Sequence, residues 1–111
     1  MKIRFTAPAL CVGLMIAASA VAPAAAAKGD PAKGKEIVSE QCGVCHNTDS
    51  DEKKMGPGLK GLYKRKLKGG KPATDASVKA IINAGGNGMP AYEDMLSAEE
   101  KDHVLAFLKT L

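Results

Sequence analysis

Large aromatic side chains are scarce in this 111-residue chain, which has no tryptophan, two tyrosines and two phenylalanines. Phe5 lies close to the N-terminus, before the apolar run described below, so Phe107 is the phenylalanine left to the rest of the chain. A short chain buries only a modest fraction of its surface. If it also has few large side chains, it usually needs a covalent cross-link or a bound group to be stable. This composition argues against a domain that is stabilised by its own core alone.

The alternation of apolar and polar residues that marks a half-buried strand is also missing, and no internal repeat is present. The sequence instead contains residues that typically begin and end helices. Asp30 is a favoured N-cap residue and Pro31 suits the first helical position, which predicts a helix that runs toward Gln41.

Two further helices are predicted downstream. One follows Thr74 or Asp75 and ends at Gly85-Gly86, where glycines often terminate a helix. The last begins at Ser97, which forms a capping-box pattern with Glu100. The apolar residues at helical spacing in these two segments are Val78, Ile81, Ile82, Val104, Leu105, Phe107, Leu108 and Leu111. The chain is therefore predicted to be all-α, with three main helices joined by long Gly/Pro-rich loops.

The N-terminal segment differs from the rest of the chain. Lys2 and Arg4 give a positive start, an apolar run extends from Ala7 to Val21, and small residues follow at Ala24–Ala27. This three-part pattern predicts a secretory signal peptide over residues 1–27 that is cleaved after export.

The alternative for this segment is a retained membrane anchor. The run is interrupted by proline, glycine and serine, and it is shorter than the roughly 20 apolar residues of a spanning helix. Cys11 lies inside the run rather than after it, which argues against a lipid-anchored cysteine. We expect residues 28–111 to form one soluble, monomeric domain in the periplasm, with no stable membrane insertion.

The pattern Cys42-x-x-Cys45-His46 carries the clearest chemical signal. C-x-x-C-H is the attachment motif of c-type haem. Two thiols three positions apart near a helix end can reach the two vinyl groups along one side of a porphyrin. The next residue then lies over the ring, and its imidazole can bind the iron. The motif predicts one covalently attached haem c, held by Cys42, Cys45 and His46.

A cysteine pair can also serve other chemistry. A thioredoxin-type couple normally follows a strand, and none is predicted here. A zinc site needs more ligands, and there is no second cysteine pair. A plain disulfide between Cys42 and Cys45 would close only a very small loop. A thiol oxidoreductase remains a rival hypothesis, which predicts protein without added haem mass.

A second axial ligand for the iron is also predicted. Haem iron in electron carriers is often held by histidine and methionine. Met89 lies in a glycine-rich loop between two helices and is followed by proline, which favours it. Met55 comes too soon after His46 to reach the far face easily, Met95 is interpreted as core filler, and His103 as a surface residue.

With these motifs in place, the chain resembles the class I cytochromes c, especially the small soluble bacterial ones. The resemblance covers nearly all of residues 28–111. It rests on Gly34, Cys42-x-x-Cys45-His46, Gly56-Pro57-Gly58-Leu59, Gly88-Met89-Pro90 and Phe107. It implies a cytochrome c fold in which the first and last helices cross where Gly34 meets Phe107. Val38 stands where the family often has an aromatic residue, which implies a looser contact.

The resemblance also implies roles near the cofactor. The Pro57 carbonyl would accept a hydrogen bond from the second imidazole nitrogen of His46, which fixes the ring. Tyr63 and Arg65 match positions that often meet the haem propionates.

Filled axial positions predict a single-electron carrier between redox partner proteins rather than an enzyme. The alternative is a peroxidase-like haem enzyme or gas-binding protein with a displaceable sixth ligand. A basic cluster is either a solvated loop or a docking patch for an acidic redox partner, and nucleic acid is disfavoured for an exported protein. Its members are Lys60, Lys64, Arg65, Lys66, Lys68 and Lys71.

Overall fold

The computed structural model describes residues 29–111. The predicted signal peptide and Cys11 lie outside the described residues. Three α-helices occur within them, α1 (Pro31–Ile37), α2 (Asp75–Ala84) and α3 (Ala98–Leu108). Over the same residues no strand forms, and β-pairing is limited to two isolated bridges. The predicted all-α architecture is confirmed. No helix in residues 29–111 is long and apolar enough to cross a bilayer.

The helix starts follow from side chains that lie next to them in sequence. The Asp30 carboxylate accepts the Ala32 N–H at 2.9 Å, and Pro31 occupies the first turn of α1. Thr74 caps α2, and Ser97 and Glu100 form the predicted capping box on α3. These contacts satisfy N–H groups that have no partner inside a helix.

The first helix extends as predicted, although its last turn is not α-helical. After α1 the chain continues as a π-helical turn over Val38–Cys42. The Gly43 N–H donates to the Val38 carbonyl at 2.8 Å, which is the wider i to i−5 spacing of that turn. The long loop that follows contains one short 3₁₀ helix, Leu62–Lys64.

α1 crosses α3 at Gly34. A Cβ atom on Gly34 would lie 1.9 Å from the His103 carbonyl oxygen and 2.8 Å from the Phe107 Cβ, so the two backbones are in direct contact. Val38 is fully buried at the same core. The crossing implied by the resemblance is therefore present, and the smaller residue at Val38 leaves no exposed gap. The buried core consists of Val38, Leu59, Leu62, Val78, Ile82, Tyr92, Val104, Leu105 and Leu108.

Three side chains depart from the sequence-based interpretation. His103 is not on the surface: it is only 9% exposed, because its Nδ1 accepts the Asp30 N–H at 2.7 Å and thereby ties the start of α1 to α3. Met95 is not core filler, since it is 61% exposed and Tyr92 fills the core before α3. Ile81 is 42% exposed, so the buried face of α2 is narrower than predicted.

Candidate functional site

Cys42, Cys45 and His46 are brought together by the end of the first helical segment. The N–H groups of Cys45 and His46 both donate to the Cys42 carbonyl, at 3.1 and 3.0 Å. This turn keeps the two cysteines and the imidazole close together in the chain. Both thiols are free, and Cys42 packs against the buried core. The site therefore offers two unpaired sulfur atoms, and that of Cys42 belongs to a residue packed against the apolar interior.

The electrostatics of the thiols bear on the rival hypothesis of thiol chemistry. Burial raises the pKa of the Cys42 thiol, and the neighbouring Cys45 raises it further. A thiol oxidoreductase depends on a thiolate, which requires a lowered pKa. The surroundings of Cys42 disfavour that chemistry.

His46 is held in one orientation by the next loop. Its Nδ1 lies 2.7 Å from the Pro57 carbonyl oxygen, which can only accept, so Nδ1 carries the hydrogen. This is the contact that the resemblance implies. With Nδ1 donating, the lone pair of Nε2 is available to a metal.

Gly56 completes the support of this imidazole. A Cβ atom on Gly56 would lie 2.4 Å from Cε1 of His46, so the ring rests against bare backbone. The Gly56 N–H donates to the Cys45 carbonyl at 2.7 Å, which ties this backbone to the cysteine turn. Only glycine fits here without moving the ring.

Met89 lies in a tight turn after α2. The N–H and carbonyl groups of Gly86 and Met89 bond to each other reciprocally, at 2.9 and 3.0 Å. Four successive residues, 85–88, have positive φ values, which a glycine-rich sequence permits. The Met89 side chain is partly buried and packs against the same core as Cys42, whereas Met55 is 74% exposed.

Tyr63 and Arg65 use their polar groups within the protein. The Tyr63 hydroxyl donates to Asp75 at 3.0 Å, and the Arg65 guanidinium donates to the Gly58 carbonyl. Both hydrogen bonds stabilise the long loop. The expected contact of these two side chains with haem propionates stays a prediction.

Sequence reasoning missed Tyr92. Its side chain is 6% exposed, and its hydroxyl donates to the Gln41 carbonyl at 3.0 Å. Burial raises the pKa of its phenol, and the charge on Cys42 and on Cys45 raises that pKa further. An aromatic residue three positions after Met89, in a chain with few aromatics, was the available signal.

These residues fit a covalently attached porphyrin. Two free thiols, an imidazole with an available nitrogen, a glycine cradle beneath that imidazole and a thioether at the same core form a suitable donor set. Imidazole and thioether are ligands that haem iron accepts.

Comparisons with known proteins agree with this chemistry. The model of a family described as cytochrome C oxidase, cbb3-type, subunit III matches residues 29–108. A cytochrome c6-like protein of Nostoc sp. is 35% identical over 75 residues, which cover 68% of this chain and 65% of that protein's length. The crystal structure of cytochrome c6 from the diatom Phaeodactylum tricornutum aligns with a TM-score of 0.58 at 30% identity, covering 74% of this chain and 93% of that chain.

Proposed function

Because this chain belongs to the cytochrome c family, with a covalently bound c-type haem as its cofactor, we propose that it is a periplasmic single-electron carrier. The bond between His46 Nδ1 and the Pro57 carbonyl is the observation that carries the proposal. It fixes the tautomer and the direction of a nitrogen ligand directly after two free thiols. The names of the Nostoc and diatom proteins, both cytochrome c6 types, support it.

We assign the attachment of the haem to this chain's own side chains. Cys42 and Cys45 would form the two thioether bonds, and His46 Nε2 would be one axial ligand. When bound, the haem supplies an iron that exchanges one electron at a time. Gly56 and Pro57 keep the imidazole from turning, so this ligand needs little rearrangement when the charge of the site changes.

Met89 is the proposed second axial ligand. Its partly buried side chain and its place at the core of Cys42 support this role over that of the exposed Met55. Iron bound by both His46 and Met89 would have a raised reduction potential, and it would have no open position for a substrate. For this reason we propose a carrier and not an enzyme.

The basic loop is the proposed docking face for an acidic redox partner. The bridge between Lys66 and Pro72, with the Leu67 N–H bonded to the Lys71 carbonyl at 2.7 Å, closes this loop into a tight turn. Its lysines, Lys60, Lys64, Lys66, Lys68 and Lys71, are all exposed. Arg65 is partly buried, since its guanidinium bonds to Gly58. Surface charge of one sign accelerates association with a partner of the opposite sign.

The first experiment examines cofactor and ligands together. Protein purified from the periplasm of an expression host is expected to be red, to carry the mass of one haem, and to show the near-infrared band of Met-ligated ferric haem. Met89→Ala should lose that band, whereas the control Met95→Ala should keep it. Colourless protein would contradict the proposal, and immediate binding of cyanide or carbon monoxide by the wild type would favour the peroxidase-like alternative.

A second experiment examines docking. Replacing Lys64, Lys66 and Lys68 by glutamine should slow electron transfer to an acidic partner at low salt and weaken its salt dependence. The matched control removes the same number of charges outside the basic loop, by replacing the exposed Lys33, Lys35 and Lys53 with glutamine. Equal slowing by both sets would show that only net charge matters and that the basic loop is not the docking face.

A further inference from the structure

Tyr92 connects the two parts of the chain that hold the proposed axial ligands. It follows Met89 by three residues, and its hydroxyl donates to the Gln41 carbonyl at 3.0 Å across 51 positions of sequence. Gln41 directly precedes Cys42 at the end of the first helical segment. One side chain therefore joins the methionine loop to the cysteine turn.

The Gln41 carbonyl belongs to the last turn of a helical segment, where carbonyl groups lack partners within the helix. The N–H groups of Cys45 and His46 donate to the Cys42 carbonyl instead. The Tyr92 hydroxyl, which comes from another part of the fold, donates a hydrogen bond to the Gln41 carbonyl. Because the Tyr92 side chain is 6% exposed, water cannot readily replace its hydroxyl in this bond.

The backbone of Tyr92 is fixed on its other side. Its N–H donates to the Ile82 carbonyl of α2 at 2.9 Å, and its carbonyl accepts the N–H groups of Met95 and Leu96, both at 3.2 Å. Tyr92 therefore has a fixed backbone and a fixed hydroxyl. Only two residues separate it from Met89, so the downstream end of the methionine loop cannot move away unless these bonds break.

We propose that Tyr92 is a positioning residue that holds the Met89 loop against the cysteine turn through its hydroxyl, and so limits how readily Met89 leaves the iron. This inference rests on the proposed ligation by Met89. The ring fills the core, while the hydroxyl sets the distance between the loop and the turn. Loss of the hydroxyl alone should leave the fold intact and let the loop open more often.

The test compares Tyr92→Phe with the wild-type holoprotein. Phenylalanine keeps the buried ring and removes only the hydroxyl. We expect the ferric variant to bind added imidazole about two- to tenfold more tightly, the range that follows from the loss of one hydrogen bond of ordinary strength. Absorbance titration and stopped-flow mixing give the affinity and the rate, and circular dichroism verifies the fold.

Two controls separate the possible outcomes. His103→Leu breaks a buried hydrogen bond that ties the start of α1 to α3 and includes neither Met89 nor the cysteine turn. It should therefore lower the free energy of unfolding without changing imidazole affinity. A similar rise in affinity in both variants, or none in Tyr92→Phe, overturns the role of Tyr92. If the wild type lacks the near-infrared band of Met-ligated haem, the proposed ligation by Met89 is wrong, and this inference is wrong with it. If the wild type shows the band but Tyr92→Phe binds imidazole with unchanged affinity, only the inference about Tyr92 is wrong.

Discussion

The helix crossing and the site loops are held together by different means. At the crossing, the backbones of α1 and α3 touch at Gly34, and the fully buried Val38 and Val104 belong to the core there. In the site loops, hydrogen bonds from side chains help to fix the key residues, such as the one from His46 to Pro57 and the one from Tyr92 to Gln41.

This difference shows where the stability of the chain originates. Dense contact between helices buries apolar surface, which is the dominant favourable contribution to folding. Isolated hydrogen bonds add only about 1 kcal/mol each, less than the entropy lost when a long loop is ordered. The site loops should therefore depend on the cofactor, whereas the crossing depends on the chain's own side chains.

The largest effect is expected when haem attachment is prevented, because this tests whether the site loops depend on the cofactor. We expect Cys42→Ala combined with Cys45→Ala to abolish cooperative unfolding of the whole domain, because the remaining core is too small to order the loops. Thermal melts followed by circular dichroism provide the measurement. A native-like cooperative melt of the double variant would show that the crossing alone suffices.

A second change tests the close contact between α1 and α3 at their crossing. Gly34→Ala would place a Cβ atom 1.9 Å from the His103 carbonyl oxygen, so the helices must separate. We expect a loss of about 3 kcal/mol in the free energy of unfolding of the holoprotein. Urea denaturation measures it, with the exposed neighbour Lys35→Ala as the control, which should change stability by less than about 0.5 kcal/mol. Equal effects of the two would refute close contact at Gly34.

A third change applies the same steric test within the site. Gly56→Ala would bring a Cβ atom within 2.4 Å of the His46 ring, which must tilt or lose its bond to Pro57. The expected cost is about 2 kcal/mol, accompanied by a higher reduction potential, because an imidazole that loses its hydrogen bond to Pro57 is a weaker electron donor and stabilises ferric iron less. Redox titration is the decisive measurement. Met55→Ala, an exposed neighbour, should leave the potential unchanged.

A fourth change tests whether a hydrogen bond between the start of α1 and α3 also contributes to the stability of the crossing. His103→Leu leaves the Asp30 N–H without its acceptor, and we expect a loss of about 1–2 kcal/mol in the free energy of unfolding. His103→Gln should recover part of it, since its side-chain oxygen can accept the same N–H. Identical stability of the leucine variant and the wild type would mean that this bond contributes nothing.

The smallest expected effect concerns Tyr63 in the long loop. Burial, followed by the hydrogen bond to Asp75 and its charge, raises the pKa of the Tyr63 phenol. The folded state thus holds this proton more tightly, so the stabilisation is complete at neutral pH and declines as pH rises above the unfolded value of about 10.

Tyr63→Phe should therefore lower the free energy of unfolding by about 0.5–1 kcal/mol at neutral pH. The difference from wild type should shrink in alkaline solution, which urea titrations at several pH values can follow. A difference that grows with pH would contradict the assigned direction of the pKa change.

The helix starts and the family were predictable because their signals are local. Asp30, Thr74 and Ser97 cap helices through bonds to residues at most three positions away, and the spacing of such residues is visible in the sequence. The resemblance to class I cytochromes c, the all-α fold and the haem cofactor are confirmed. The predicted ligands Cys42, Cys45, His46 and Met89 remain predictions.

Other features arose only when distant segments packed together. His103 becomes a buried acceptor because Asp30 lies against it from 73 positions away. Tyr92 reaches Gln41 only when the methionine loop folds over the cysteine turn. The spacing of residues in the chain determined where helices begin and which cofactor chemistry is available. The tertiary structure alone decided which polar side chains are buried and what they hold, because such bonds depend on atoms that the sequence places far apart.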